Sequence, residues 1–298
     1  MVGRDTDAES PSITTGLLKL LPKVAIGGAS VAAAIYLLLS PRVAIRWYSN
    51  ALFHPHRYPS GEWDVELEGI KPEDIWFRTK DGSQLHGWFF KVQGAKHTVL
   101  FSHGNTGNMT GRPNLVKLLL SCGLSVFIYD YRGYGRSDGR PSIAGICDDG
   151  VTAFDYLVRE RDIPTDDIIL YGESLGCAVS CQIADRRPCG GMILQSGFAS
   201  LRKIGCDHIP FVKMYPNLFF PRPLLDSAQV LAKFKKPLLM IHGQQDPVVP
   251  FGHAEYLFEH ACEPKTLIKI PQATHSDIWF VAPEQYVSAV KKFVSELT

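Results

Sequence analysis

Apolar positions along this chain cluster into short runs separated by longer amphipathic stretches. Residues 75–79 and 84–91 alternate apolar and polar side chains around Lys80-Asp81-Gly82-Ser83. Asp-Gly between two alternating runs is a hairpin signal. The later runs, at residues 98–102, 125–130, 168–171, 191–195, 238–242 and 266–270, are more continuously apolar. Runs of that kind, bounded by turn residues, read as strands covered on both faces. Between them apolar positions recur with a helical period, as in residues 114–121 and 146–161. Strands alternating with helices predict an α/β fold, a mainly parallel eight-stranded sheet flanked by helices.

One stretch departs from this alternation. Residues 200–236 form an insertion between the sixth and seventh strands, and four prolines fall within residues 209–225. That proline density excludes a long regular helix and predicts a small cap. Phe211, Met214, Tyr215, Leu218, Phe219 and Phe220 would line an acyl-chain groove, dip into a membrane, or pack the insertion onto the sheet.

The N-terminus reads as a separate unit. Residues 1–15 are polar, a disordered leader, and residues 24–39 are uncharged and largely apolar. That run is short against the ~20 residues of a membrane span, but Leu17, Leu18, Leu20 and Leu21 extend it, with Lys19 and Lys23 snorkelling to the interface. Residues 16–41 are therefore expected to be a single transmembrane anchor; a cleaved signal peptide and an amphipathic core helix are the alternatives. Residues 42–69 follow as a juxtamembrane linker, with Trp47, Tyr48, Phe53, His54, His56 and Arg57 suited either to the membrane–water interface or to packing on the domain. The folded domain is then residues 70–298. Arg4, Lys19 and Lys23 before the run, against Arg42 and Arg46 after it, weakly favour a cytosolic N-terminus. An odd number of cysteines and a lone sequon at Asn108 argue against a lumenal domain. The expected location is an endomembrane (the endoplasmic reticulum) or the plasma membrane, with the orientation open.

Composition narrows the function. The chain has 298 residues, 45% of them hydrophobic, enough for one large core. A formal net charge of +1 and the lack of a basic cluster give no case for nucleic acid. Among the seven cysteines only Cys177 and Cys181 stand at i, i+4; small apolar packing explains them better than a metal pair, since no further ligands converge in sequence. Neither a metal nor an organic cofactor is implied.

The candidate chemistry centres on Gly172-Glu173-Ser174-Leu175-Gly176, directly after an apolar run. A strand, G-x-S-x-G and then a helix form a nucleophile elbow, a strained turn that exposes the serine at the edge of a sheet. A serine hydroxyl needs a base, and the base an orienting carboxylate. Downstream, Asp246 and His275 each follow a predicted strand. The order Ser, Asp, His predicts Ser174 as nucleophile, His275 as general base and then acid, and Asp246 as the group that orients the imidazole. The oxyanion needs two backbone donors: Leu175 N–H, after the nucleophile, and Asn105 N–H in the loop His103-Gly104-Asn105-Thr106-Gly107-Asn108. Residues 130–137 (DYRGYGRS) lack the lysine and spacing of a phosphate loop. Asp130, Arg132, His103 and His242 are expected to be structural.

Taken in order, these segments resemble the α/β-hydrolase superfamily. More narrowly, the chain is similar to membrane-anchored abhydrolase-domain serine hydrolases, relatives of protein depalmitoylases, that carry HGNxGN, DYRGYGxS, GxSLG and a final THxDxW, here residues 103–108, 130–137, 172–176 and 274–279. The resemblance covers residues 70–298 and departs at Cys177, where relatives often carry a smaller residue. It implies the α/β-hydrolase fold and an acyl-enzyme on Ser174. The implied substrates are acyl esters or thioesters, membrane-derived, with S-palmitoylated protein first and a lysophospholipid or monoacylglycerol second. A catalytically silent interaction module on the same fold is the alternative from another class.

Overall fold

The computed structural model describes residues 30–297. Eight strands form one sheet: β1 (Glu73–Arg78), β2 (Gln84–Phe90), β3 (Thr98–Ser102), β4 (Ser125–Tyr129), β5 (Ile168–Glu173), β6 (Gly191–Gln195), β7 (Leu238–Gly243) and β8 (Lys265–Ile270). Their spatial order is β8-β7-β6-β5-β3-β4-β2-β1. The β1–β2 and β2–β4 pairings are antiparallel and all others are parallel. The hairpin lies where Asp-Gly called for it: Gly82 takes φ +89°, and Asp81 Oδ1 accepts Ser83 N–H at 3.2 Å.

The central strands are buried along their whole length, which explains their unbroken apolar runs. On β4, Phe127 and Tyr129 join one core while Val126 and Ile128 join the other. The first core is closed by helices Ile143–Glu160, Leu175–Ala184, Ser227–Leu231 and Gly252–His260, through residues such as Phe154, Val179, Leu231 and Leu257. The second is closed by Pro113–Ser121 and Pro283–Ser295, through Leu119, Tyr286 and Val290. Burying a side chain the size of Phe127 on this scale is worth several kcal/mol, about 3–5 for truncation to alanine.

Chain order reverses beside β5, where β3 lies on one side and β6 on the other. In a parallel sheet such a switch opens a crevice at the carboxyl ends of the strands. The elbow sits there. Gly172 and Gly176 are required by close approach: a Cβ on Gly176 would overlap the Ser102 carbonyl, and one on Gly172 would overlap the backbone of Cys177.

Two N-terminal expectations need qualification. The leader and residues 16–29 of the expected anchor lie outside the described residues. Among the described residues no helix is long and apolar enough to cross a membrane; the described part of that segment is helical over residues 30–38. Of the two readings left open for residues 42–69, packing on the domain is the one seen. They form the helix Ile45–Leu52 and a short strand, His54–Pro55, that pairs in parallel with Thr106–Gly107 of the loop after β3.

Replacing Gly176 with alanine should lower the unfolding free energy by roughly 1–3 kcal/mol, the usual cost of forcing atoms into a packed interior. Thermal unfolding followed by circular dichroism measures it, and an unchanged midpoint would contradict the close approach described.

Candidate active site

Ser174 joins β5 to the helix Leu175–Ala184 with φ 55° and ψ −115°. A non-glycine residue in this region costs on the order of 1–3 kcal/mol. The surroundings hold it there: Ser174 N–H donates to Gln195 O on β6 at 2.9 Å, and Ser174 O accepts Cys177 N–H at 3.0 Å. The Cys177 thiol donates to the carbonyls of Gly172 and Gln195, each at 3.1 Å. That thiol therefore fills the space beside the turn, against Gly197 and between two carbonyls.

The structure brings together the three residues that sequence order singled out. His275 Nε2 lies 2.9 Å from Ser174 Oγ, and His275 Nδ1 lies 2.7 Å from Asp246 Oδ2. With the Nδ1 proton donated to the carboxylate, the Nε2 lone pair faces the serine hydroxyl. Asp246 sits on the turn after β7, where its Oδ1 accepts the N–H groups of Val248 and Val249, both at 2.8 Å. Burial alone would raise this carboxyl. Hydrogen bonds from His242 and His275, with that of the Val249 amide, outweigh it and hold the group well below the usual carboxylate range. The loop carrying His275 is itself fixed. Asp277 Oδ1 accepts Thr274 N–H at 2.7 Å, and Ser196 Oγ donates to His275 O at 3.2 Å.

The loop after β3 is held from three sides. From below, Gly104 N–H donates to Glu173 Oε2 at 3.3 Å. The same oxygen accepts Arg112 Nε at 2.8 Å, while Arg112 Nη1 donates to Thr106 O at 2.8 Å and Asn108 O at 3.2 Å. Burial would raise the Glu173 carboxyl, but the Arg112 guanidinium beside it holds it below the ordinary value. From the side, Tyr131 and Tyr134 hydroxyls donate to His103 O and Asn105 O at 2.8 and 2.7 Å. His103 Nε2 stands 3.2 Å from Asp130 Oδ1, both side chains being fully buried. From outside, His54 N–H donates to Asn105 O at 3.1 Å, and Asn105 Nδ2 to Leu52 O at 2.7 Å. These bonds occupy the side chain and carbonyl of Asn105. Its N–H, like that of Leu175, has no acceptor among the described residues, and both residues line the same cavity as Ser174. Asn108 is buried and donates to His56 O and Ser60 O at 3.0 and 2.9 Å, so its sequon has no accessible amide.

That cavity measures about 310 Å³. Its walls come from the cap (Ile204, Ile209, Val212, Phe220) and from the N-terminal segment (Tyr48, Leu52). The expected cap set is thereby corrected: of its six aromatic and apolar residues only Phe220 lines the cavity. The turn Pro210–Met214 directs Val212 inward and leaves Phe211 and Met214 exposed. Leu218 is exposed too, while Tyr215 and Phe219 pack against Tyr36, Tyr215 stacking on it with ring centroids 4.5 Å apart. Among the described residues no group of side chains could hold a metal ion.

The family described as serine aminopeptidase, S33, matches residues 93–223. The uncharacterized protein YfhR of Escherichia coli K12 is 34% identical over 270 residues, 87% of this chain and 89% of YfhR. The α/β hydrolase domain-containing protein WAV2 of Arabidopsis thaliana is 32% identical over 244 residues, 75% of this chain and 79% of its own length. The chain belongs to the α/β-hydrolase superfamily. The structure of the Pyrococcus furiosus esterase Pf2001 shares the fold, with a TM-score of 0.70 at 22% identity over 83% of this chain and 98% of that one. This α/β-hydrolase is a serine hydrolase. The S33 match spans Asn105 and Ser174 but ends before Asp246 and His275, whose assignment stands on the hydrogen-bonded geometry.

Sequence reasoning missed two parts of the hydrolase's site: the Glu173–Arg112 pair and the bracing by residues 52–60. A signal existed for each. Glu173 is a carboxylate on a strand otherwise wholly buried, which demands a partner, and two asparagines in one loop demand acceptors. Glu173→Gln should lower kcat on a soluble aryl ester by roughly tenfold, less than the 10²–10³ of a deleted oxyanion donor, because Asn105 N–H is displaced and not lost. Steady-state kinetics measure this; an unchanged kcat would show that the loop keeps its position without the ion pair.

Proposed function

We propose that the protein hydrolyses long-chain acyl esters or thioesters through an acyl-enzyme on Ser174. In this reading His275 takes the Ser174 proton, returns it to the leaving group, and then activates water for deacylation. Asp246, ionised through the whole range in which an imidazole titrates, stabilises the imidazolium. Asn105 N–H and Leu175 N–H receive the oxyanion in both half-reactions.

The observation that carries the substrate class is the cavity lining. Among the residues lining it there is no Asp, Glu, Lys or Arg. An aminopeptidase needs an acid to hold the substrate's α-ammonium group, and a buried ammonium without one is costly. An alkyl chain needs only apolar surface, which Leu52, Ile204, Ile209, Val212 and Phe220 supply. S-palmitoylated protein is the first candidate, with the alkyl chain in the cavity and the leaving thiol outside; a lysophospholipid or monoacylglycerol is the second. Residues 16–41 would tether the enzyme to an endomembrane or the plasma membrane, where such substrates reside.

Two outcomes are expected. Ser174→Ala and His275→Ala should each lower turnover of a palmitoyl thioester peptide by about 10⁶, to the level left by the oxyanion hole and binding alone. Val212→Trp should shorten the preferred acyl chain, cutting hexadecanoyl turnover by roughly tenfold while sparing acetyl ester, because overpacking a cavity excludes its longest occupant. Comparing a palmitoyl thioester peptide, a lysophospholipid and a monoacylglycerol at matched concentration ranks the leaving groups. Turnover of none of them by the folded wild type, with cleavage of an aminoacyl amide, would overturn the acyl reading.

A further inference from the structure

A tether by itself leaves a domain free to tumble over the membrane. The surface around the cavity argues for more than a tether. In the helical segment 30–38, Tyr36 docks on the domain: it stacks on Tyr215 and donates from its hydroxyl to Met214 O at 2.8 Å, and Tyr215 Oη donates to Tyr36 O at 2.9 Å. Arg42 N–H then donates to Phe219 O at 2.7 Å. These bonds fix the segment to the cap and set their bare apolar side chains next to one another. Val31, Ile35 and Leu38 are 59%, 51% and 63% exposed, Trp47 58%, and Met214 and Leu218 66% and 63%. Most of the large exposed apolar side chains of the described residues fall in these two segments. An apolar surface this concentrated marks an interaction site.

Charge identifies the occupant. No Asp or Glu occurs between Glu9 and Glu62, or between Asp207 and Asp226, whereas the chain as a whole is nearly neutral at +1. The cations on this surface, Arg42, Arg46 and Lys213, are exposed, and none pairs with a carboxylate among the described residues. Exposed apolar residues, a tryptophan and unpaired cations with no acid among them match the boundary of an anionic bilayer, not a protein partner of mixed charge. The described part of the apolar run, residues 30–39, lies at this same surface. Pro41, Tyr48 and Leu52 from these segments, with Phe220 and Pro221 from the cap, also line the cavity.

We propose that residues 30–47 and the cap turns around Met214 and Leu218 form a collar that seats on an anionic phospholipid bilayer, with the cavity opening at that surface so that the acyl chain passes from the leaflet to Ser174 without crossing water. The docking stands on the collar alone; the delivery of substrate rests on the acyl-ester reading above.

The test uses the full chain reconstituted in vesicles of phosphatidylcholine with or without phosphatidylglycerol, carrying brominated acyl chains. The Trp47 contribution is the difference between wild type and Trp47→Phe. The collar predicts that this contribution is quenched in phosphatidylglycerol vesicles and less so in their absence or at high salt. It also predicts that Met214→Glu with Leu218→Glu abolishes the quenching and lowers turnover of a vesicle-borne long-chain ester by about tenfold, with a water-soluble short ester unaffected. A Trp47 contribution that stays unquenched while the chain floats with the vesicles overturns the collar. Equal quenching with and without phosphatidylglycerol overturns its anionic preference. If neither ester is turned over by wild type, the acyl-ester reading fails while the quenching still decides the docking.

Discussion

The backbone of Ser174, held at φ 55° between β5 and its helix, is the constraint on which the site depends. It aims the hydroxyl at His275 and leaves the Leu175 N–H free beside it. The conformation is costly for a serine, and the fold offsets that cost by packing. The carbonyl of Ser102 presses on Gly176, the backbone of Cys177 on Gly172, and Gln195 O accepts the Ser174 N–H. These contacts come from β3, from the helix after the elbow and from β6, so the elbow is as rigid as the core that surrounds it. A loop free in solvent would relax; this one is held on its backbone side by the sheet and the helix, and only the Ser174 hydroxyl side borders the cavity.

The same logic extends outward by one shell. A preorganised oxyanion donor must not move as charge develops, and the loop after β3 would be mobile on its own. Its hydrogen bonds are consumed instead by Glu173 and Arg112, by two tyrosine hydroxyls, and by the backbone of residues 52–60. The segment that leads away from the N-terminus is thus both a wall of the cavity and a brace of the loop. The Asn105–Leu52 and Asn108–His56 bonds join that segment directly to the loop after β3.

The legible parts of this protein were those encoded by local pattern. Continuous apolar runs gave β3 to β8 within a residue or two, because strands covered on both faces are filled mostly by apolar side chains; the edge strand β8, with Lys265 and Lys269, is only partly buried. Ser174, Asp246 and His275 were legible because each stands just beyond a strand, where a parallel sheet gathers its loops. The cap was not legible at the level of side chains. Proline-broken turns carry no period, so nothing in the sequence told that Val212 faces inward and Met214 outward. Residues 42–69 read as a linker because their partners, Asn105, Asn108 and the turn at Gly135, lie far along the chain. A carboxylate at the end of a buried strand, as at Glu173, calls for a cation, but that Arg112 supplies it is set by the fold, 61 residues away along the chain.

The central claim, that an acyl group is transferred to Ser174, is tested most directly by intact-mass analysis of the protein quenched in acid during turnover of a palmitoyl thioester. The account predicts a palmitoyl adduct that maps to the peptide containing Ser174 and is absent from Ser174→Ala. An adduct on another residue, or turnover that proceeds undiminished in Ser174→Ala, would contradict it.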